Sequence, residues 1–358
     1  MKKAPQDTRV IVGMSGGVDS SVALMRLAEK GRHELTAFYL KIWLEDEMAF
    51  LGSCPWEEDL AIVREVCGAT GVPLEVVSLQ QEYLNTVVAY ALDELAVGHT
   101  PSPDVMCNRM IKFGAFLDRV GDRFERVASG HHARVEERDG CYHLLRGADS
   151  KKDQTYFLCQ LSQEQLARCL FPIGDLTKTA VREEAHRFGL ANADRPDSQG
   201  ICFLGRVPFD DFVHHHLGDR PGEIRRASNG EILGHHRGTW FHTIGQRRGL
   251  GLGSGPWYVV GKDLDDDGIL VAHAEELADY ARRSFGIARP HWIADPPQRS
   301  ELAVRIRHGE RLDPCSVSAS ADGSLTVDFD ATEDPGIAPG QFAALYDGEE
   351  CLGGGVIE

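Results

Sequence analysis

The run Gly13-Met14-Ser15-Gly16-Gly17-Val18-Asp19-Ser20-Ser21 joins a β-like stretch at 10–12 to an amphipathic helical one. Glycine lacks a Cβ, so Gly16 and Gly17 are expected at positive φ with their N–H groups turned toward an oxyanion. Ser20 and Ser21 would add hydroxyl donors at the positive end of the helix dipole. That is chemistry for holding pyrophosphate. A Walker A loop would close on Gly-Lys-Ser/Thr, and a dinucleotide fingerprint would need a third glycine where Asp19 and Ser20 stand, so neither fits. A second set of residues could do sulfur chemistry. In Pro101-Ser102-Pro103-Asp104-Val-Met-Cys107-Asn108, the prolines stiffen a loop, Asn108 reads as a helix cap, and Cys107 falls beside it. A cysteine at a helix N-terminus with Arg109 and Lys112 nearby is expected to be a low-pKa thiolate, with Asp104 able to move a proton. Cys202, in Asp197-Ser198-Gln199-Gly200-Ile201-Cys202-Phe203, reads as a thiol on an exposed loop.

The elements that must position these residues alternate. Short β-like runs at 10–12, 35–40, 74–79 and 126–129 are separated by apolar three- and four-residue spacing at 20–30, 56–70, 80–98 and 108–120, which predicts a parallel α/β sheet. Ligands of such sheets sit at the carboxyl ends of the strands, where Ser15 would lie. After Arg206 glycines multiply and β-rich runs such as 257–260 are short, predicting a small turn-rich domain. Alternation at 302–307, 316–320 and 324–329, with Asp-Gly turns, predicts a C-terminal β-barrel. The expected boundaries are 1–208, 209–280 and 281–358.

A chain of 358 residues has apolar material for two or three cores. Its nine cysteines form no Cys-x-x-Cys pair, no secretory or transit segment is read before the first strand, and no apolar run spans a bilayer; a reducing cytoplasm is expected. With 38 basic and 55 acidic residues the formal charge is −17, which speaks against a polyanionic partner unless cations cluster locally. They do so at Arg109/Lys112, Lys151/Lys152, Arg225/Arg226, Arg247/Arg248, Arg282/Arg283 and Arg305/Arg307. Isolated histidine runs at 214–216 and 235–236 lack the spacing of a zinc site.

The loop at Ser15 resembles the Ser-Gly-Gly-x-Asp-Ser loop of ATP-pyrophosphatases, which split ATP to AMP and pyrophosphate. Taken with the segment 101–108, Ser129-Gly130-His131-His132, Lys152-Asp153-Gln154, the Cys202 segment, Thr243-Ile-Gly-Gln-Arg-Arg-Gly-Leu250, Arg305-Ile-Arg307-His308 and Leu352-Gly-Gly-Gly-Val-Ile357, the chain resembles the bacterial tRNA-specific 2-thiouridylases over nearly its whole length. The resemblance implies an ATP-pyrophosphatase domain that adenylates O2 of a wobble uridine with ATP and Mg²⁺. The oxygen is then replaced by sulfur carried as a persulfide on Cys202 and supplied by a sulfur-relay protein or cysteine desulfurase. Cys107 and Asp104 would complete the catalytic set. ATP would be held by Gly13, Met14, Ser15, Gly16, Gly17, Val18, Asp19, Ser20, Leu40 and Gly130. The tRNA would touch Ser102, Pro103, Asp104, Lys152, Asp153, Gln154, Arg307 and His308, and the small central domain at 209–280 would contact it as well. A Cys107–Cys202 disulfide, a monomeric state and no membrane contact are further expectations. The chain departs from the family pattern at Ser102, usually asparagine, and His308, usually tyrosine. An amidating ligase of the same loop class would need an ammonia source that no segment supplies, and a pure RNA-binding module would leave the loop and both cysteines unexplained.

Overall fold

A computed structural model describes residues 8–42, 56–197, 208–331 and 333–358. Strand β1 (Thr8–Met14) enters helix α1 (Val18–Lys30), and β2 (His33–Lys41), α2 (Trp56–Thr70) and β3 (Leu74–Ser78) follow. Strand β4 (Arg126–Ala128) and the short β7 (Cys169–Leu170) complete a five-stranded sheet in the order β3-β2-β1-β4-β7, with every pair parallel. The side-chain period of two sorts β1 between layers. Val10, Val12 and Met14 pack with α1, α2 and the helix Lys178–Arg187, whereas Ile11 faces the helices over 80–96 and 103–120. Helix α1 buries Val22, Ala23, Leu24 and Leu27 and ends on Gly31 at φ +58°, whose N–H bonds Ala28 O in a left-handed cap.

Both long helices on the Ile11 face widen into π turns, at Leu84–Val88 and Cys107–Ala115, a feature that apolar spacing does not reveal. The second helix starts at Pro103 rather than at Asn108, with Ser102 as its N-cap residue and proline in the first turn, where its missing N–H costs nothing.

Strand β5 (Ala133–Arg138) and β6 (Cys141–Arg146) form a hairpin that leaves the parallel sheet and joins the C-terminal one. Four strands, β8 (Gly222–Arg226), β9 (Ile232–His236), β10 (Trp257–Asp263) and β11 (Gly268–His273), make the small central sheet in the order β10-β11-β8-β9. Strands β12 (Ser284–Trp292), β13 (Glu301–Arg305), β14 (Asp313–Ala319), β15 (Leu325–Phe329), β16 (Phe342–Asp347) and β17 (Glu350–Ile357) follow, and β12 pairs with both β15 and β17, closing a six-stranded barrel. β6 adds to the outside of β17 through Leu145↔Glu350 and Leu144↔Cys351. The expected parallel-sheet, turn-rich and barrel architecture is therefore the one observed. The parts share apolar cores as well as chain: Phe212 and Val213 of the helix Phe209–Leu217, and Phe342, Ala344 and Tyr346 of the barrel, sit in one cluster with Ile111, Phe113 and Cys107. Among the described residues no helix is long and apolar enough to cross a membrane.

Candidate active site

The strand order reverses direction at β1, between β2 and β4, and the loop 15–17 leaves the carboxyl end of β1 at that switch point, where open parallel sheets form their ligand crevice. Gly16 has the expected positive φ, +76°. Gly17 does not: at φ −79° and ψ 160° it is the extended N-cap residue of α1. Two close approaches shape the loop. A Cβ on Gly16 would stand 2.9 Å from Asp59 Cα in the first turn of α2, and one on Gly130, just past β4, would stand 2.6 Å from Ser20 N. Only glycine lets β4 come this near the first turn of α1, whose N–H groups have no intrahelical acceptor. Ser20 and Ser21 direct their hydroxyls inward, each donating to Gly17 O at 3.0 Å, so their first role is to brace the turn. Ser15 N donates to Ser20 Oγ at 3.2 Å. Leu40 lies near the carboxyl end of β2, paired with Val77 and packed beneath the crevice.

Cations close on this loop from far along the chain. Lys178, at the start of its helix, bonds Asp19 Oδ1 at 2.6 Å and pairs with Asp197 at 2.8 Å, and Lys152 Nζ reaches the other oxygen of Asp197 at 2.7 Å. Arg195 donates to Gly16 O at 3.1 Å and pairs with Asp59 at 2.6 Å, while Asn192 donates to Gly16 O and Ser21 Oγ. Burial alone would raise the pKa of Asp19, but His132 and Lys178 outweigh it and hold the carboxyl below its ordinary 3.8. In Asp197 burial is likewise outweighed, by Lys152 and Lys178, and its pKa falls to about 2. Both acids are anionic at neutral pH, and Lys178 is held between them. Sequence reading missed Lys178, Asn192 and Arg195; no local pattern marks them, because their role comes from packing against a loop more than 150 positions earlier.

The segment around Cys107 differs from its expectation. Cys107 is fully buried, four residues past the start of its helix, among Val105, Ile111 and Phe113. Burial pushes its thiol up to about 11, the nearby Asp104 charge adds to this, and Lys112 and the Tyr83 hydroxyl only partly oppose it. It is a neutral thiol, not the low-pKa thiolate of a helix N-terminus. Asn108 caps nothing; it is buried and its Nδ2 donates to Phe157 O at 3.1 Å. Asp104, three residues before Cys107 and so on the same helix face, keeps a buried Oδ1 that has no hydrogen-bond partner among the described residues. Ser102 and Pro103 are buried beside it. Cys202 lies outside the described residues.

The expected RNA-contact residues divide. Arg307 is half-exposed and tied to Asp334 at 2.7 Å, His308 is exposed and stacked on Phe157 at 4.6 Å between centroids, and Lys152 is half-exposed. Gln154 accepts from His132 N at 2.9 Å, fixing the loop next to Gly130. Asp153 cannot be a surface contact: its side chain is completely buried, pairs with the equally buried Arg305 at 2.7 Å, and accepts from Thr155. It joins the 147–155 loop to barrel strand β13, the physical reason an acid sits between a lysine and a glutamine there. Neighbouring His131 is also buried, its pKa held well below 6.5 by burial and the charges of Lys112 and His132, and it bonds Ser129 Oγ at 2.7 Å.

Three family descriptions match in succession: a tRNA methyl transferase HUP domain over residues 8–206, a tRNA methyl transferase PRC-barrel domain over 210–273, and an aminomethyltransferase β-barrel domain over 282–357. Among curated relatives, the tRNA-specific 2-thiouridylase MnmA 2 of Geobacillus kaustophilus is 44% identical over 363 residues, covering 100% of this chain and 96% of that protein. The tRNA-specific 2-thiouridylases MnmA of Alkaliphilus oremlandii and Idiomarina loihiensis are 41% and 40% identical, covering 100% and 98% of this chain and 99% and 96% of theirs. With such relatives over its full length, the chain belongs to the family of tRNA-specific 2-thiouridylases.

Proposed function

We propose that the protein is a tRNA-uridine 2-sulfurtransferase that thiolates C2 of the wobble uridine at the expense of ATP. The observation that carries this reading is the loop 15–20 at the sheet's switch point, closed by Gly130 and faced by Lys178 and Arg195, with the Asp104–Cys107 helix rising from the opposite layer of the same sheet. A triphosphate fits there chemically. The N–H groups of the first turn of α1 would bind it, Lys178 and Arg195 would exchange carboxylate and carbonyl partners for phosphate oxygens, and Mg²⁺ would accompany the nucleotide. Uracil O2 is a poor leaving group, and its attack on the α-phosphate, with loss of pyrophosphate, converts it into AMP, a good one.

Sulfur then replaces oxygen in one of two ways. In the first, the terminal sulfur of a Cys202 persulfide attacks C2 and expels AMP; Cys107 next attacks the Cys202 sulfur, freeing the 2-thiouridine and leaving a Cys107–Cys202 disulfide that a cellular dithiol reduces. In the second, Cys107 attacks the persulfide first, forming the same disulfide, and the released hydrosulfide attacks C2. Asp104, with its unpartnered buried oxygen, is the proton-transfer group on the Cys107 helix. The uridine must leave its stack to reach Asp104, with Arg307, His308, Lys152 and the Ser102–Pro103 turn beside the RNA. The sulfur donor is a persulfide-bearing relay protein or cysteine desulfurase, the compartment is the cytoplasm, the working unit is a monomer, and the chain divides near 208 and 280.

The test is mass spectrometry of nucleosides from unmodified tRNA incubated with the protein, ATP, Mg²⁺ and a sulfide source, beside Cys107→Ser and Cys202→Ser. 2-Thiouridine that depends on ATP and disappears in both variants is the expected result. Cleavage of ATP to AMP without thiolated uridine would retain the loop's role and remove the thiolation.

A further inference from the structure

The imidazole of His132 has no task in the proposed reaction. It lies just before β5, two residues past Gly130, and is only 2% exposed. Among the described residues neither of its ring nitrogens has a hydrogen-bond partner. The ring beside it is different: His131 Nδ1 bonds Ser129 Oγ at 2.7 Å. A neutral imidazole carries an N–H on one nitrogen and a lone pair on the other, and burying both unpaired is costly unless an acceptor stands close by.

That acceptor is in the phosphate loop. His132 Nε2 stands 3.6 Å from Asp19 Oδ1, too far for a hydrogen bond. The same oxygen accepts from Lys178 Nζ at 2.6 Å, and Lys178 has a second acid, Asp197, at 2.8 Å. The lysine can therefore turn away from Asp19 while one carboxylate still anchors it. A shift of about 0.8 Å in the Asp19 oxygen would bring it to charge-assisted hydrogen-bond length from His132.

Of the two partners the imidazole is the fixed one. His132 N donates to Gln154 Oε1 at 2.9 Å, and His132 O accepts from Gln154 N at 3.0 Å. A Cβ on Gly147 would stand 2.6 Å from that same carbonyl oxygen, so the chain leaving β6 presses against it. Gly147 N in turn donates to Asp153 Oδ1 at 3.1 Å, and Asp153 is the buried partner of Arg305. The mount of the ring is thus tied into the barrel. The Asp19 side chain is 29% exposed in the first turn of α1, so the carboxylate is the group with room to move.

A triphosphate changes the balance at Asp19. Once Lys178 turns to a phosphate oxygen, the carboxylate is an anion beside the N–H groups that receive the phosphates. It then either recaptures the lysine or repels the nucleotide, unless another donor draws it back. We propose that His132 is a positioning residue for the nucleotide: its Nε2–H takes the Asp19 carboxylate as Lys178 leaves, and holds that anion away from the triphosphate. The proposal rests on the reading of the loop as an ATP site and adds a residue which that reading does not contain. It needs no change of protonation, because a neutral imidazole with its proton on Nε2 already donates.

The experiment is ATP binding by calorimetry to the full-length protein as wild type, His132→Phe, His132→Gln, Asp19→Ala and Asp19→Ala/His132→Phe. His132→Phe keeps a flat ring and removes the donor, and should weaken ATP about tenfold, the size of one charge-assisted hydrogen bond. His132→Gln keeps an N–H and should stay within about threefold of wild type. In the Asp19→Ala background there is no carboxylate to hold, so adding His132→Phe should change affinity by less than about twofold. Wild-type affinity in His132→Phe, equal losses in the phenylalanine and glutamine variants, or a tenfold loss that persists on Asp19→Ala would each overturn the proposal and leave the thiolation reading intact. If His132→Phe does not melt like wild type, His132→Leu, smaller than the imidazole, takes its place with the same expectation. A wild-type protein with no affinity for ATP would remove the nucleotide role of the loop and this proposal together.

Discussion

The two chemical ends of the parallel-sheet domain are prepared to different degrees. At the phosphate end the loop 15–17 is already folded onto α1, Gly130 already lies against Ser20, and Lys178 already stands between two carboxylates. At the sulfur end Cys107 is sealed in the core with its thiol pushed up to about 11, and the acid beside it has an oxygen with no hydrogen-bond partner among the described residues. The backbone of the phosphate loop is already in place, so only side chains such as Lys178 and Arg195 would change partners on binding, whereas a buried neutral thiol is protected from stray oxidants until the helix around it opens. On the proposed function, the resting fold has its nucleotide loop in place and its thiol withheld, and the π-wound stretch Cys107–Ala115 is where the second end has the least regular backbone.

The sharpest way to break that comparison is to ask the two thiol states directly. Ionisation alone should make alkylation of Cys107 at pH 8 about 100-fold slower in the native protein than in the denatured chain, since the thiol rises from 9.0 to about 11 on folding, and burial slows it further. Iodoacetamide labelling followed by peptide mass spectrometry measures it. The same shift fixes a pH window. Below about pH 9 the thiol is neutral in both states; between 9.0 and about 11 only the unfolded chain ionises, so stability must fall as pH rises through that interval. Fast labelling at pH 8 in the absence of RNA and ATP would put both ends in the same prepared state.

At the phosphate end the corresponding probe is Gly130→Ala. The new methyl meets backbone, 2.6 Å from Ser20 N and 2.7 Å from Asp19 C, so the first turn of α1 has to shift. A displacement near 1 Å in a positioning element costs about 100-fold in rate, and pyrophosphate release from ATP should fall by that order. Lys178→Met should cost less. It removes one charged hydrogen-bond partner of the phosphates, about 2 kcal/mol, or about 30-fold in ATP affinity by calorimetry, and it leaves Asp19 and Asp197 facing each other without their shared cation. Wild-type affinity in Lys178→Met would mean that the lysine only braces the resting loop.

How much of this was legible in the sequence follows from how local each feature is. The strand–glycine turn–helix at 10–30 carries its chemistry in consecutive residues, and the helix at 56–70 and the parallel sheet follow from spacing alone. Asp153 shows the opposite case. Flanked by Lys152 and Gln154 it reads as a surface acid, yet Arg305, 152 positions later, makes it the buried half of an ion pair, and nothing within either segment announces the other. Cys107 was misread for a smaller reason. Its helix begins at Pro103 instead of Asn108, a shift of five residues that moves the thiol from a helix terminus into an apolar face. Lys178, Asn192 and Arg195 reach the loop through tertiary packing, which periodicity cannot encode.

The smallest effect sharpens the boundary between the two ends. His308 stacks on Phe157, whose carbonyl accepts from Asn108 in the Cys107 helix, so this ring is the outermost member of a chain leading to the buried thiol. Desolvation against its neighbours and the charge of Arg305 hold the imidazole pKa below 6.5, so at pH 7.5 the ring is mostly neutral and acts by its flat face. His308→Tyr keeps a flat neutral ring in that place and should change RNA affinity by less than about threefold, within 1 kcal/mol. Because the histidine gains its proton only below its ordinary 6.5, wild-type affinity should rise as the pH is taken below that value while the tyrosine variant loses that increment, measured by fluorescence anisotropy at constant salt. A histidine that already contributed charge at pH 7.5 would show as a large loss in the tyrosine variant there, and the ring would then belong with the cations of the phosphate end rather than with the apolar approach to Cys107.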